Sequence, residues 1–244
     1  MISGRYELKY LLNYDDYFNV KCKILPFVRK DFYTRNSNRH KYFIKSLYFD
    51  NYNYLILNDK LEGEKNRIKL RFRCYNDIKS MNKFIRVEIK KRYGEIIKKD
   101  STNIDLYTYE NFMQNKLFSD NDNLILQQFN IYINKYSLNP CINIEYFREV
   151  FESKIDKNLR LSFDHNTKSS KSKDLFPQSV PIKFANTDLI VMEIKINKQI
   201  PLWLNKIINE NSLNNVTHSK YANGTLKNNI LSSGSLNFLN NLNI

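Results

Sequence analysis

The chain has 244 residues, 42% hydrophobic with 17 Tyr and 16 Phe, which is ample for one sizeable core, and 39 Lys and Arg against 25 Asp and Glu give a formal charge of +14. That balance points to an anionic partner: nucleic acid, anionic lipid or a phosphate-rich small molecule. Cys22, Cys74 and Cys141 form no Cys-x-x-Cys pair, which excludes a zinc site or disulfide framework as the organising device, and no apolar run nears the length of a signal peptide or membrane span; the expectation is a cytoplasmic protein with no membrane segment in this chain.

Residues 5–11, Arg-Tyr-Glu-Leu-Lys-Tyr-Leu, alternate with period two and predict a first strand with Arg5, Glu7 and Lys9 on one face. Asn13 is placed to cap a helix over 14–25, with Asp15 and Asp16 in its first turn and Pro26 limiting its extent. Residues 45–50 read as the next strand. Then comes the most informative stretch, Arg67-Ile-Lys-Leu-Arg-Phe-Arg-Cys-Tyr75, which puts Arg67, Lys69, Arg71, Arg73 and Tyr75 on one face and Ile68, Leu70, Phe72 and Cys74 on the other. Like charges two residues apart, about 7 Å, repel, so a polyanion is the natural counterpart of such a row. A solvated basic face accounts for this one stretch equally well.

Strands follow at 84–90, with Arg86, Glu88 and Lys90 together, and at 96–99 after a turn at Gly94. From 105 to 136 the apolar spacing becomes helical, with a break at Ser119-Asp-Asn-Asp122, a helical insertion in a strand-rich chain. Strands resume at 142–148, 159–164 and 189–195, with a polar loop at 169–174, and helices are expected over 200–208, with Pro201 in the first turn, and from Ser219. With no linker-like stretch and no repeat, one domain is expected over 1–244, its core at about 5–230.

At least five strands carry apolar residues on one face and Arg or Lys, often beside a carboxylate, on the other. In a closed antiparallel barrel wrapped by helices, the apolar faces point outward into a core and the charged faces line a tunnel. The fold class expected is therefore α+β, a closed β-barrel tunnel with a charged interior. Arg offers bidentate contacts to phosphate, Lys point charges, and Glu the hard oxygens that Mg²⁺ or Mn²⁺ prefers. Tyr and Phe lie mostly opposite the cations, which argues against single-stranded nucleic acid as the partner.

The ordered set Arg5-Tyr-Glu-Leu-Lys-Tyr-Leu-Leu, Ser46-Leu-Tyr-Phe-Asp, Lys69-Leu-Arg-Phe-Arg, Val87-Glu-Ile-Lys, Tyr146-Phe-Arg, Arg160-Leu-Ser-Phe-Asp, Met192-Glu-Ile-Lys and Ser219-Lys-Tyr resembles the vacuolar transporter chaperone (VTC) polyphosphate polymerase domain, a branch of the CYTH-like triphosphate tunnel metalloenzymes. The resemblance implies transfer of the terminal phosphoryl group of ATP to a growing polyphosphate chain, with Mn²⁺ or Mg²⁺. It implies phosphate-handling roles for Arg71, Arg73, Arg148, Arg160 and Lys195, substrate contacts from Lys9, Lys69, Lys90, Lys98, Tyr146, Ser219 and Lys220, and a metal carboxylate at Glu193; Lys99 competes with Lys98. Where hydrolase and cyclase branches carry Glu-x-Glu-x-Lys, this chain has Arg5 at the first position, which argues against hydrolysis by that arrangement. Sensing and membrane domains of the fungal relatives have no counterpart here, so a separate membrane partner is left open. A triphosphatase of the same fold, or a non-catalytic module that binds polyphosphate or nucleic acid, are the alternatives.

Overall fold

The alternation read from the sequence produces a single antiparallel sheet. In the computed structural model, which describes residues 6–94, 96–119, 122–178, 184–186, 189–197 and 199–233, the strands are β1 (Tyr6–Leu12), β2 (Val28–Lys30), β3 (Tyr42–Asp50), β4 (Asn66–Cys74), β5 (Ile85–Tyr93), β6 (Ile96–Ile104), β7 (Asn139–Ser153), β8 (Arg160–Lys171), β9 (Phe184–Asn186) and β10 (Ile190–Ile196). They pair in the order β1-β10-β8-β7-β3-β4-β5-β6, with β2 added to β7 and β9 to β8. The helices are α1 (Tyr14–Ile24), α2 (Phe32–Asn36), α3 (Leu55–Leu61), α4 (Leu106–Asn115), α5 (Leu124–Tyr136), α6 (Leu202–Glu210) and α7 (Lys220–Ser233).

The expected closed barrel is corrected to a curled open sheet: its path ends at β1 and β6, with no ladder joining them among the described residues. Side chains cross the gap instead, Lys90 Nζ of β5 lying 3.5 Å from Glu7 Oε2 of β1. Two long side chains meeting end to end span more than the roughly 4.8 Å that a backbone ladder requires.

The outward apolar faces are covered by helices. On β4, Leu70, Phe72 and Cys74 are fully buried beneath α4 and α5, where Phe72 stacks on Phe129 at 5.3 Å and meets Phe112 edge-on at 5.0 Å. A second cluster, including Phe163, Met192 and Ile194, packs beneath α1 and α6. Asn13 caps α1 by accepting from Asp16 N at 2.8 Å.

Other expectations need adjustment. The polar stretch at 169–174 is no loop over its first residues, because Ser169 to Lys171 continue β8 against β7, with Ser170 opposite Asn143; pairing partners outweigh the weak strand propensity of Ser and Lys. Pro201 is the N-cap of α6 and not in its first turn. The short elements β2, α2, α3 and β9 leave no period in the sequence and were not anticipated.

The last helix decides the shape of the interior. A Cβ on Gly224 would lie 2.4 Å from Ile144 Cδ1 and 2.9 Å from Ser169 Cβ, so α7 is seated directly on β7 and β8. Asn228 Nδ2 donates to Ser169 Oγ at 2.8 Å, and the Tyr221 hydroxyl donates to Asp50, which itself caps α3 through Ile56 N and Leu57 N at 2.9 and 3.1 Å. Ile144 is on the same face of β7 as Tyr146 and Arg148, so α7 lies against the concave side and covers it near Asp50.

Candidate active site

On the inner face of β4, Lys69, Arg71 and Arg73 stand opposite Lys90, Glu88 and Arg86 of β5. Glu88 is the anionic centre of this group. Its carboxylate lies 2.5 Å from Arg71, 2.6 Å from Lys99, 3.6 Å from Arg86 and 3.8 Å from Arg73. Burial opposes its ionisation, but Arg71, Arg73 and Lys99 outweigh that and hold the carboxyl far below the usual carboxylate range. Arg71 Nη1 also donates to the Tyr48 hydroxyl at 2.8 Å; burial would raise that phenol's pKa, and Arg71 and Arg73 override it and lower it.

Across the concavity, Arg148 donates from Nε and Nη2 to Asp164 at 2.6 and 2.7 Å, a two-pronged pair, with Nη2 also 3.8 Å from Glu193. Lys220, the first residue of α7, lies 2.5 Å from Asp164, and both Lys220 and Arg148 sit over the Tyr146 ring, at 4.9 and 5.2 Å. Despite complete burial, these cations hold the Asp164 carboxyl down at about 2. Lys195 is 2.7 Å from Glu193, whose carboxyl burial would raise but Lys195, Arg148, Lys9 and Lys220 hold well below its usual range.

The two halves are joined where Lys90 approaches Glu7, as described above, and where Lys69 Nζ donates to Ser219 Oγ at 2.9 Å; Lys9 Nζ donates to His218 O at 2.8 Å and lies 3.1 Å from Glu7. Lys69 has no carboxylate partner among the described residues. Burial, then repulsion from Lys9, Lys90 and Lys60, depresses its pKa well below the lysine range. The inner face thus contains a lysine whose charged form an incoming anion would favour.

Twelve of the thirteen residues singled out from the sequence lie on this face or on the start of α7. Arg160 is the outlier among them, 42% exposed and 2.9 Å from Asp31 at the α2 end. Lys98 is the correction. It pairs in register with Lys91 on the outer face, is 66% exposed and lies 3.7 Å from Asp100, whereas Lys99 sits opposite Lys90 and reaches Glu88. A strand's period of two admits one of two adjacent lysines, and here it admits Lys99. Asp164, Glu7, Arg86 and Tyr48 are site residues to which the sequence reading assigns no role; the same alternation that marks their neighbours is the available signal.

A VTC domain family model matches residues 4–228. The chain belongs to the VTC domain family. No curated protein sequence matches it. Among solved structures, a candidate adenylate cyclase from Bacillus halodurans superposes with a TM-score of 0.54 at 12% identity, covering 95% of this chain and all of that one, and so shares the fold. A protein from Pyrococcus horikoshii and a candidate adenylate cyclase from Vibrio parahaemolyticus align at TM-scores of 0.46 and 0.43 with 11% and 12% identity, covering 91% and 94% of this chain and 98% of each of theirs.

In this VTC domain no group of three or more His, Cys, Asp or Glu side chains converges among the described residues. The donor set nonetheless fits a small hard cation. Mg²⁺ is ordinarily held by one or two carboxylates with substrate phosphates and water completing its shell, and Glu193, with Glu7 on the neighbouring β1, offers those oxygens on the inner face. Arg5, the departure on the first strand, lies outside the described residues.

Proposed function

We propose that this VTC domain is a polyphosphate polymerase that transfers the terminal phosphoryl group of ATP to a polyphosphate end. The observation that carries the reading is the continuous inner row from Lys9 and Lys195 through Arg148 and Lys220 to Arg71, Arg73 and Lys69, in which carboxylates already orient the guanidinium groups and Lys69 is left without one.

Phosphoryl transfer asks little covalent chemistry of the protein, only alignment and neutralisation of charge. The acceptor's terminal phosphate oxygen attacks the γ-phosphorus, the bond to the β-γ bridging oxygen breaks, and ADP leaves with that electron pair. Arg71 and Arg148 face the equatorial oxygens, each held in one orientation by Glu88 or Asp164. Lys69, Lys220 and Ser219 receive phosphates further along, and Lys9, Lys90 and Lys195 line the approach. At an effective dielectric of about 20, one cation 4 Å from a phosphate charge contributes about 4 kcal/mol before desolvation, so several together hold a tetraanion. A divalent ion on Glu193 and Glu7 would supply further neutralisation of phosphate charge.

One observation favours a triphosphatase as the second reading: α7 covers the concave side near Asp50, which leaves a lengthening chain no straight path past it. Incubation with ATP and Mn²⁺ separates the two. Acid-stable chains longer than three phosphates support the polymerase, and orthophosphate appearing in step with ADP supports the triphosphatase.

A further inference from the structure

We propose that the rim formed by α2 beside Arg160 seats the base of a nucleoside triphosphate, so that this protein selects nucleotide donors over inorganic triphosphate. The inference rests on the reading of the inner face as a phosphate site and adds a subsite to it.

Asp31 fixes the rim. Its Oδ1 accepts from Thr34 N at 2.8 Å and caps α2, while its Oδ2 accepts from Arg160 Nη2 at 2.9 Å. One carboxylate thus ties a surface helix to the end of the inner cation row. The next two residues, Phe32 and Tyr33, are 63% and 67% exposed, with rings 5.6 Å apart and nearly perpendicular. Tyr33 also lies 6.0 Å from the ring of Tyr42, which pairs with Arg148 across the β3–β7 ladder. Two exposed aromatic rings therefore stand at the same end as Arg160, one of them against the tyrosine that pairs with Arg148, whose guanidinium grips Asp164.

The placement matches one ligand. With α7 covering the far side, a triphosphate whose phosphates run from Arg148 towards Lys220 and Lys69 has its nucleoside at the α2 end. A base offers a π-face that stacks on Tyr or Phe whatever its identity, and an Arg guanidinium beside it adds a second planar partner. Inorganic triphosphate offers neither. Elsewhere on the inner face the aromatic rings serve the cations: Tyr146 lies beneath Arg148 and Lys220, and Tyr48 beneath Arg71.

The test is calorimetric titration of ATP and of tripolyphosphate, each with Mn²⁺, into the wild-type protein and a Phe32→Ala/Tyr33→Ala double variant. Both side chains are exposed and the Asp31 cap is untouched, and an unchanged melting curve verifies the fold. The expected result is about tenfold weaker binding of ATP with tripolyphosphate within about twofold of wild type. A Tyr33→Trp variant should retain ATP affinity and show indole quenching with ATP but not with tripolyphosphate. Unchanged ATP binding by the double variant, or equal loss for both ligands, overturns the inference while leaving the phosphate site standing. A wild-type protein that binds neither ligand refutes the phosphate reading itself and this inference with it.

Discussion

Glu88 Oε2 accepts from Arg71 Nε at 2.5 Å, and the same carboxylate is within 4 Å of Arg73, Arg86 and Lys99. A buried anion among four cations holds them together when no substrate does so. Glu88→Gln leaves those cations facing one another, and removal of one partner from a buried ionic group costs about 3 kcal/mol or more. We expect a lower melting temperature, with tripolyphosphate raising it by more in the variant than in wild type because the ligand replaces the missing charge. Equal ligand-induced shifts would show that Glu88 does not organise the phosphate site.

Arg71→Ala and Arg148→Ala should each lower turnover at least a hundredfold while the protein remains folded, since each removes a guanidinium aimed inward by a buried carboxylate. Arg148→Lys should also fail to restore full activity, because an ammonium cannot make the two-pronged contact with Asp164. Product formation under saturating ATP, measured beside circular dichroism, checks both.

Glu193 is bonded to Lys195 at 2.7 Å, so its role as a cation ligand competes with a role as a lysine's partner. Glu193→Gln removes a hard anionic oxygen. A ligand role predicts weaker Mn²⁺ binding in the presence of a non-hydrolysable ATP analogue and partial recovery of activity at high Mn²⁺. A partner role predicts unchanged Mn²⁺ affinity and triphosphate binding at least as tight without metal.

Lys99 has its pKa lowered to about 8, burial lowering it more than Glu88 raises it, and Lys69 is also depressed, for the reasons given above. A bound phosphate favours the charged form of both, so their pKa values rise on binding and protons are taken up. Because the free protein binds fewer protons than the complex above about pH 8, affinity for tripolyphosphate should weaken as pH rises through that value. Titrations in two buffers of different ionisation enthalpy measure the uptake directly, and a value of zero would refute this account.

How much of this was legible in sequence depends on whether a residue obeys a period. The inner positions of β1, β4, β5 and β10 follow an unbroken alternation, and Lys9, Arg71, Glu88 and Glu193 could be placed from it alone. On β7 the register shifts between Glu145 and Phe147, yet Tyr146 and Arg148 keep to one face against β3 and were found through the family motif. Lys98 and Lys99 show the limit: adjacent like residues carry no parity of their own, and the choice was fixed by where β6 begins its ladder with β5. Closure failed for a different reason. Alternation gives the face of a strand, whereas whether β1 meets β6 depends on curvature summed over the whole sheet. The role of Asp31 was also hidden, since it joins Arg160 across a separation of 129 residues and caps a helix of only five.

Gly224 carries a consequence that extends beyond packing. The helix it allows to settle on Ile144 and Ser169 begins with Lys220, directly after Ser219, so the groups that meet an anion and the groups that dock the helix belong to one rigid unit. Anion binding and helix docking are then thermodynamically linked: whatever loosens the seat lowers affinity, and whatever occupies the site stabilises the seat by the same free energy. Gly224→Ala, which forces a displacement against Ser169 Cβ, should weaken tripolyphosphate binding without altering any residue that contacts it, and saturating tripolyphosphate should slow amide exchange along α7 in the wild-type protein more than in β2, which pairs with the other end of β7 at Phe151 to Ser153.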